Sequence, residues 1–313
     1  MKITLILKGD IHRRGHFRGD LAQLKSVMSG AEIFLLESTR PGQAVALAAS
    51  AARESDYLIA VGGDGTLNEV LNGCFQACAN LPPEKMPALG VLAYGSANDF
   101  ARSLGNNGTV DELINLLQAD ARQRIDAGLI DYCEDSGTTG RRYFLNAADI
   151  GIGAHVVRHR QERTRLLTGN LQYLRSTFSA LRSYRHCDLE VHSDQGLHWR
   201  GKTLALVAGN GRYFGSGLCV APGAKLDDGQ MSVTLVGDAS ARDFLHNFRH
   251  LKRGDRLQHP EASYHQARTL EFNHVGEPAM VEADGELLGT TPVTIRLLPG
   301  AVDFLRSQGR LLD

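Results

Sequence analysis

Residues 57–73 read YLIAVGGDGTLNEVLNG, and no other stretch constrains the fold as strongly. Tyr57, Leu58, Ile59, Ala60 and Val61 form an apolar run of the length expected for a buried strand. From Thr66 onward the spacing becomes helical, with Leu67, Val70 and Leu71 apolar at i, i+3 and i+4. Thr66 and Glu69 stand in the T-x-x-E arrangement of a capping box at a helix start. Between strand and helix lie Gly62, Gly63, Asp64 and Gly65. Three glycines permit a tight turn that a ligand can approach closely. Exposed N–H groups and the helix dipole there favour an anion such as phosphate. The carboxylate of Asp64 would repel that phosphate unless it met a metal ion or a hydroxyl. A tight strand–helix turn with a capping acid explains the same four residues, so GGDG alone leaves both readings open.

A chain of 313 residues is long enough for two domains, each burying its own core. The hydrophobic fraction of 42% and charged fraction of 22% are those of an ordinary globular protein. A formal net charge of -1 gives no global field for nucleic acid, so any anionic partner must meet a local patch. The five cysteines include no CxxC pair, and Cys74 and Cys78, one helical turn apart, read as core thiols. A reducing cytoplasm suits that usage. The apolar run 3–7 after Lys2 is too short for a signal peptide, and nothing approaches the ~20 apolar residues of a membrane span. Localisation is therefore expected to be cytoplasmic. The sequence is silent on oligomeric state.

Strands are expected at 3–7, 33–36, 57–61 and 88–92. Helices are expected around Leu21, Leu24, Lys25 and Met28, over 43–53, from Thr66 to near Asn80, and from Ala97. Ser96 and Asp99 repeat the capping pattern ahead of that last helix. Strand alternating with helix four times argues for a parallel sheet covered on both faces. Both glycine turns then lie beyond the carboxyl ends of strands, where such sheets bind ligands. The character changes near Arg124. Residues 125–133, 143–147, 189–192, 204–207 and 231–236 are strand-like and separated by Gly, Asp and Ser turns. This predicts a second, mainly antiparallel β domain.

Two segments are strongly basic. Residues 155–186 carry seven arginines against the single acid Glu162, interleaved with leucines and aromatics. Such a segment can lie on an anionic membrane surface or be a solvated helix. Arg249, Lys252, Arg253 and Arg256 follow a helix marked by Phe244, Leu245 and Phe248. Residues 196–203, GLHWRGKT, match the P-loop expression, but a P-loop follows a strand and opens a helix. Here Asp194, Gln195 and Gly196 look like a hairpin turn, and 203–207 is strand-like. Gly151 and Gly153 lack the third dinucleotide-fingerprint glycine, and His155 and His159 have no Glu in the H-E-x-x-H position.

Residues 209–233 hold five glycines, then Asp227 and Asp228 before Gly229. Adjacent carboxylates and free carbonyls suit a hard cation such as Mg²⁺, and a hairpin with an Asp-Gly turn suits the same letters. Asp284, Gly285 and Glu286 place two carboxylates at a turn between strands. A hairpin needs only the Asp-Gly, so Glu286 has no structural reason of its own.

Taken together, GGDGTLNEV at 62–70, GSANDFAR at 95–102, GNGRYFGSG at 209–217, PGAKLDDG at 222–229 and DGE at 284–286 resemble the diacylglycerol-kinase catalytic-domain family, in particular the bacterial YegS-like lipid kinases. GGDG by itself is shared with NAD kinases and phosphofructokinases. Two departures stand out: Lys8-Gly9-Asp10 replaces Asn-Pro after the first strand, and Ala93-Tyr94-Gly95-Ser96 replaces Pro-x-Gly-Thr. The resemblance implies an NAD-kinase- or phosphofructokinase-like α/β domain over 1–124 and a β-rich lipid domain over 125–301. A cleft would separate them, and the tail 302–313 would pack back on the first domain.

It further implies ATP at Gly62, Gly63, Asp64, Gly65, Thr66, Leu67, Asn68 and Glu69, helped by Thr39, Gly95 and Ser96. Magnesium, or calcium in its place, would be held by Asp228 with the carbonyls of Lys225 and Gln230. Glu286 would accept the proton of the lipid hydroxyl, with Asp64 and Asp284 in the catalytic group. The acceptor would be a membrane lipid of the diacylglycerol or phosphatidylglycerol kind, met by transient contact at the inner face of the membrane, with no nucleic acid involved. NAD kinase, a sphingoid-base kinase and a nucleotide- or lipid-binding protein without turnover are the competing readings.

Overall fold

The computed structural model describes residues 1–9, 11–13, 15–163 and 183–307. The chain divides into two compact units, Met1–Ile125 with Gly300 onward, and Asp126–Pro299.

In unit 1 the order is β1 (Lys2–Lys8), α1 (Gly15–Val27), β2 (Glu32–Ser38), α2 (Gln43–Ala51), β3 (Tyr57–Gly62), α3 (Asp64–Cys78), β4 (Ala88–Ala93), α4 (Asp99–Leu104) and α5 (Val110–Gln118). The strands pair in parallel in the order β2-β1-β3-β4, and the end of the chain's last strand adds beyond β4 through Phe304 and Leu89. β1 is buried from Ile3 to Leu7 and β3 over its whole length because helices cover both faces of such a sheet. One core joins Ile3, Leu5, Ile59 and Val61 to Phe17 and Leu24 of α1 and Leu113 and Leu117 of α5. The alanine-rich α2 lies so close to α3 that a Cβ on Gly73 would run into the Val45 carbonyl. Small residues there let the two backbones approach.

Three local expectations are corrected. α3 begins at Asp64 with Gly63 as its N-cap and no side-chain cap, so Thr66 lies inside the helix, 4% exposed. Glu69 caps α2 instead, accepting from the N–H groups of Gly42 and Ala44 at 3.1 and 2.9 Å. α4 starts at Asp99 after Asn98 in a left-handed conformation, and Ser96 is exposed ahead of it. The expected Ser96–Asp99 box is replaced by Asp64, whose Oδ1 accepts from Phe100 N–H at 3.0 Å. The sequence reading also passed over α5, which Thr109 caps through Glu112 N–H.

Unit 2 is built from β5 (Arg122–Cys133), β6 (Thr139–Phe144), β7 (Ala147–Gly151), α6 (Ile152–Arg163), β8 (Cys187–Ser193), β9 (His198–Thr203), β10 (Ala205–Gly209), β11 (Tyr213–Phe214), β12 (Leu218–Cys219), β13 (Met231–Val236), α7 (Ala241–Arg253), β14 (Ala262–Ala267), β15 (Thr269–His274), β16 (Met280–Ala283) and β17 (Glu286–Leu305). β5 and β17 are the stretches of chain that run from one unit into the other. The antiparallel order is β14-β13-β10-β7-β16-β17, and β17 also pairs β15, which continues through β8 to β9. Ile150, Leu206, Val233, Val281 and Ile295 meet in its core.

The strand expected over 143–147 is two strands with a bend at Leu145 and Asn146. The P-loop-like stretch is a turn followed by β9, with Lys202 in register with Asp188, so it opens no helix. Of the basic cluster near 250, Arg249, Lys252 and Arg253 lie within α7, and Arg256 follows it. Lys252 and Arg253 sit in the final turn of α7, where they complement the helix dipole, and Lys252 Nζ donates to Ser216 O at 2.6 Å. Most of the arginine-rich segment, 164–182, lies outside the described residues. Among the described residues no helix is long and apolar enough to cross a membrane.

Gly128 of β5 faces Phe144 of β6 in register, and a Cβ at Gly128 would overlap the Phe144 ring. Gly128→Ala is therefore expected to lower stability by about 1–3 kcal/mol, the usual cost of overpacking. Adding Phe144→Leu should recover part of that loss. Denaturant midpoints of the two variants measure it, and an unchanged midpoint in Gly128→Ala would refute the packing argument.

Candidate active site

The loops after β1, β2, β3 and β4 all lie at the carboxyl edge of the parallel sheet. With strand order β2-β1-β3-β4 the topology reverses between β1 and β3, the place where sheets of this kind bind ligands. The bend after β3 is the GGDG turn, and the bend after β4 packs against it. A Cβ on Gly63 would come within 3.0 Å of the Gly95 Cα, and one on Gly95 would overlap Gly63 and Asn98 Oδ1. Tyr94 N–H donates to Gly62 O at 2.8 Å, and Asn98 Nδ2 donates to Gly95 O at 3.1 Å. Two glycine bends are thus locked back to back.

The first intrahelical bond of α3 is Leu67 N–H to Gly63 O at 3.1 Å. With no side-chain cap, the amides of Asp64, Gly65 and Thr66 form the helix's open first turn, a setting suited to an anion. Of the residues expected there, Leu67 and Asn68 are buried, 2% and 1% exposed, so only their backbone faces the question. Thr39 and Ser96 are exposed, and Thr39 N–H and hydroxyl both donate to Gln43 Oε1. Glu69 ties the 39–42 loop to α3 through its bonds to Gly42 and Ala44. Asp64 holds α4 in place. The charge at the turn is thereby engaged by a backbone donor.

In unit 2, Asp284 and Gly285 form the two-residue turn between β16 and β17, with φ of 49° and 84°. Two positive φ values are what a tight hairpin of this kind requires. The Asp284 carboxylate accepts from Leu145, Asn146 and Ala147 N–H at 2.9, 2.9 and 3.2 Å, and its own N–H donates to Ala147 O at 2.9 Å. It fixes the β6–β7 bend against the turn, and Glu286 begins β17 directly after it.

Beneath that turn lie two carboxyls whose roles the sequence did not disclose. Glu282 is fully buried and faces Asp149, 2% exposed, in the β16–β7 register. Glu282 Oε2 accepts from Gly285 N–H at 2.8 Å, while Oε1 has no partner. Burial, then the negative charges of Asp149, Asp284 and Glu286, push Glu282 well above the usual carboxyl range. Burial likewise raises Asp149 to about 7, opposed by Ala154 and Gly153 N–H groups at the start of α6. A Cβ on Gly153 would collide with the Asp149 carboxylate, which is the physical reason for the second glycine of the G-x-G at 151–153.

Asp149 also forms part of the wall of an apolar cavity of about 100 Å³, open on one side. Ile152, Val156, Val207, Leu218, Val236 and Leu251 supply most of its surface. A lining of this kind, with few polar groups, suits the apolar part of a ligand.

The loop before β13 carries Lys225, Asp228 and Gln230. Lys225 and Asp228 are exposed, and Asp228 Oδ1 accepts from Gln230 N–H at 3.0 Å. The expected hairpin alternative fails, because consecutive turns and not a strand precede Asp228. Gly229 N–H donates at 2.7 Å to Asp126, a buried acid on β5. Asn210 Nδ2 donates to both Asp126 O and Leu145 O, at 3.0 and 2.7 Å. One run of hydrogen bonds therefore links the Glu286 turn, the 145–147 bend, Asn210 and the Asp228 loop. Sequence reasoning missed Asp126, Asp149 and Asn210. Asp149 had a signal, being the lone acid within the otherwise apolar β7, whereas Asp126 shares β5 with Asp131 and two arginines.

Comparison with known proteins agrees with these features. Residues 13–130 match the family model described as the diacylglycerol kinase catalytic domain, and 146–306 match the YegS C-terminal NAD kinase beta sandwich-like domain. A diacylglycerol kinase of Bacillus subtilis (strain 168) is 28% identical over 297 residues, covering 93% of this chain and 92% of that protein. One from Staphylococcus haemolyticus (strain JCSC1435) is 28% identical over 270 residues, covering 86% and 77%. The crystal structure of a diacylglycerol kinase from Bacillus anthracis str. Sterne superposes with a TM-score of 0.70 at 20% identity, covering 98% of this chain and 97% of that one. Yeast NADH kinase complexed with NADH gives 0.53 at 10% identity, covering 97% and 82%, a likeness of fold alone. With both halves matched in order, the chain belongs to the YegS-type diacylglycerol-kinase family of lipid kinases.

Proposed function

We propose that the protein transfers the γ-phosphoryl group of ATP to a hydroxyl of a membrane lipid of the diacylglycerol or phosphatidylglycerol type. The observation that carries this reading is the apolar cavity of unit 2, whose wall includes Asp149. Asp149 lies in register with Glu282, and Glu282 neighbours Glu286. An acyl chain suits that lining, and the acids lie where a polar headgroup would end. The relatives named diacylglycerol kinase support the choice of acceptor. A dinucleotide would find few polar partners in such a cavity, which disfavours NAD as the acceptor.

In this reading unit 1 holds the nucleotide. The amides of Gly63, Asp64, Gly65 and Thr66 face its phosphates, and the exposed hydroxyls of Thr39 and Ser96 add contacts. Asp64 acts through α4 as a positioning residue. Unit 2 supplies the acceptor and the base: Glu286 takes the hydroxyl proton as the oxygen attacks phosphorus. Phosphoryl transfer asks the protein chiefly for positioning and charge neutralisation, so one oriented carboxylate is enough acid–base chemistry. Asp228 with the carbonyls of Lys225 and Gln230 would hold Mg²⁺, since one carboxylate and carbonyl oxygens suit a hard cation that keeps several waters. When bound, the ion supplies positive charge against the phosphates.

Burial favours the protonated form of Glu282 and, below about pH 7, of Asp149. A base must be ionised to act, and a protonated Glu282 spares Glu286 the field of a buried negative charge. Both folded-state values lie above those of the unfolded chain. Their effect on stability is therefore absent at low pH and appears as pH rises past the unfolded values of 3.8 and 4.5, where only the unfolded chain ionises. For Asp149 the loss levels off above about 7.

Labelled-phosphate transfer from ATP to diacylglycerol in mixed micelles tests the reading, with NAD as the control acceptor. Glu286→Gln should reduce turnover by roughly 10²–10⁴ with nucleotide binding intact. Full activity in that variant would remove Glu286 as the base. Glu282→Gln should melt higher than the parent at pH 8, with the difference shrinking toward pH 4. A difference independent of pH would contradict the protonated pair. Neutralising Arg158, Arg160, Arg163 and Arg165 should weaken affinity for anionic vesicles in sedimentation by up to roughly a thousandfold, since each basic residue near such a surface contributes about 1 kcal/mol. Equal sedimentation would remove this segment from membrane contact.

A further inference from the structure

β8 and β9 form a hairpin whose inner face is apolar, with Leu189 and Val191 fully buried. Strand alternation places Glu190 and His192 on the opposite face. His192 stands in register with His198 on β9 and with Glu271 on β15, so a row of Glu271, His192 and His198 crosses three strands. The two imidazoles are stacked at a tilt, ring centroids 4.3 Å apart, and their Nδ1 atoms lie 2.8 Å from each other. Glu190 Oε1 sits 3.4 Å from the far nitrogen of His192, Nε2. One donor atom from each of Glu190, His192 and His198 falls within a sphere of 4.8 Å separations.

We propose that His192, His198 and Glu190 form a surface site for a divalent transition-metal ion of the zinc class, clipping β8 to β9. The tautomers favour it. Glu190 takes the Nε2 proton of His192, which leaves the Nδ1 lone pair aimed at His198. Without metal, His198 Nδ1–H donates into that lone pair. With metal, His198 moves its proton to Nε2 by exchange with solvent, and both Nδ1 lone pairs face the ion. Neutral rings pass through this change with no net proton released. Two nitrogens on one tetrahedral zinc stand roughly 3.3 Å apart, given metal–nitrogen distances of roughly 2.0–2.1 Å. Small side-chain rotations cover the difference from the present spacing.

The scaffold is rigid. Ser193 Oγ accepts from Leu197 N–H at 3.0 Å, and Asp194 Oδ1 accepts from Arg268 and Thr269 N–H at 2.9 and 3.0 Å, pinning the hairpin turn to β15. Imidazole nitrogen donors select borderline cations over Mg²⁺, which separates this site from the oxygen-only loop at Asp228. Arg200, opposite Glu190 in register, is the positive group facing the cluster. Glu271 supplies a second negative one. The same hairpin touches the Asp228 loop through Gln195 Nε2 and Gln230 Oε1 at 3.4 Å.

Calorimetric titration of the intact, untagged protein with ZnCl₂ in metal-free buffer at pH 7.5 tests the site. One equivalent should bind. The double variant His192→Ala/His198→Ala should lose affinity at least tenfold. Glu190→Gln should weaken binding several-fold, and His246→Ala, on α7, should leave it unchanged. His192→Gln with His198→Asn keeps size and polarity at the surface and serves as the second pair should alanine disturb folding. Zinc binding of equal affinity in either double variant, or none in the parent, would overturn the proposal.

Discussion

The candidate site in unit 2 depends on a single carboxylate held by backbone amides. Asp284 receives three backbone N–H groups from the bend between β6 and β7. Charge-assisted bonds of this kind are roughly twice as strong as neutral ones, and buried amides left without them would each cost about 1–3 kcal/mol. The bond set does more than stabilise. It fixes where β16 ends, how sharply the chain reverses, and therefore where Glu286 enters β17. The bend it holds is also where Asn210 attaches, and through Asn210 the Asp126 contact to the Asp228 loop. Remove Asp284 and two acidic loops lose their common anchor.

Unit 1 solves its own positioning problem with shape instead of charge. Gly63 and Gly95 meet so closely that neither tolerates a Cβ, and Asn98 fills the remaining corner in a left-handed conformation. The charged side chains nearby then act as caps for neighbouring helices: Asp64 for α4 and Glu69 for α2. Such swapped caps leave α3 without one of its own. The open first turn is the feature that suits it to an anion, so the capping pattern is part of the binding geometry.

These cross-caps also explain what could and could not be seen in the letters. Alternating apolar runs and glycine turns made the parallel sheet legible, because a buried strand and a tight turn are local demands. The T-x-x-E and S-x-x-D spacings misled for the same reason: a capping box is a local rule, and here Glu69 and Asp64 found long-range partners instead. Glu282 carried no role in the sequence reading. Only the register with Asp149 reveals that both point inward, since alternation says which residues share a face but not which face is covered. α5 was passed over although its apolar face is strong, because attention to the glycine turns ended at α4. The Asp284-Gly285 hairpin was readable, for a two-residue turn with positive φ at both positions leaves few sequence choices.

A further consequence follows from sorting the acids by what they touch. Asp64, Glu69, Asp126 and Asp284 all accept backbone N–H groups, and each holds a loop or a helix end. Asp149 and Glu282 face each other across two strands, and burial raises both above the usual carboxyl range. The difference is one of company. Each is a buried acid beside another buried acid, where loss of solvent and a neighbouring negative charge both favour binding a proton. The family's acidic motifs therefore mix two physical types, and a motif letter alone does not say which type it marks. Glu286 sits at the border between them, following a scaffold acid in the chain and flanking a protonated one in space. Its ionisation and its placement are thus set by different neighbours, so each can be altered without the other.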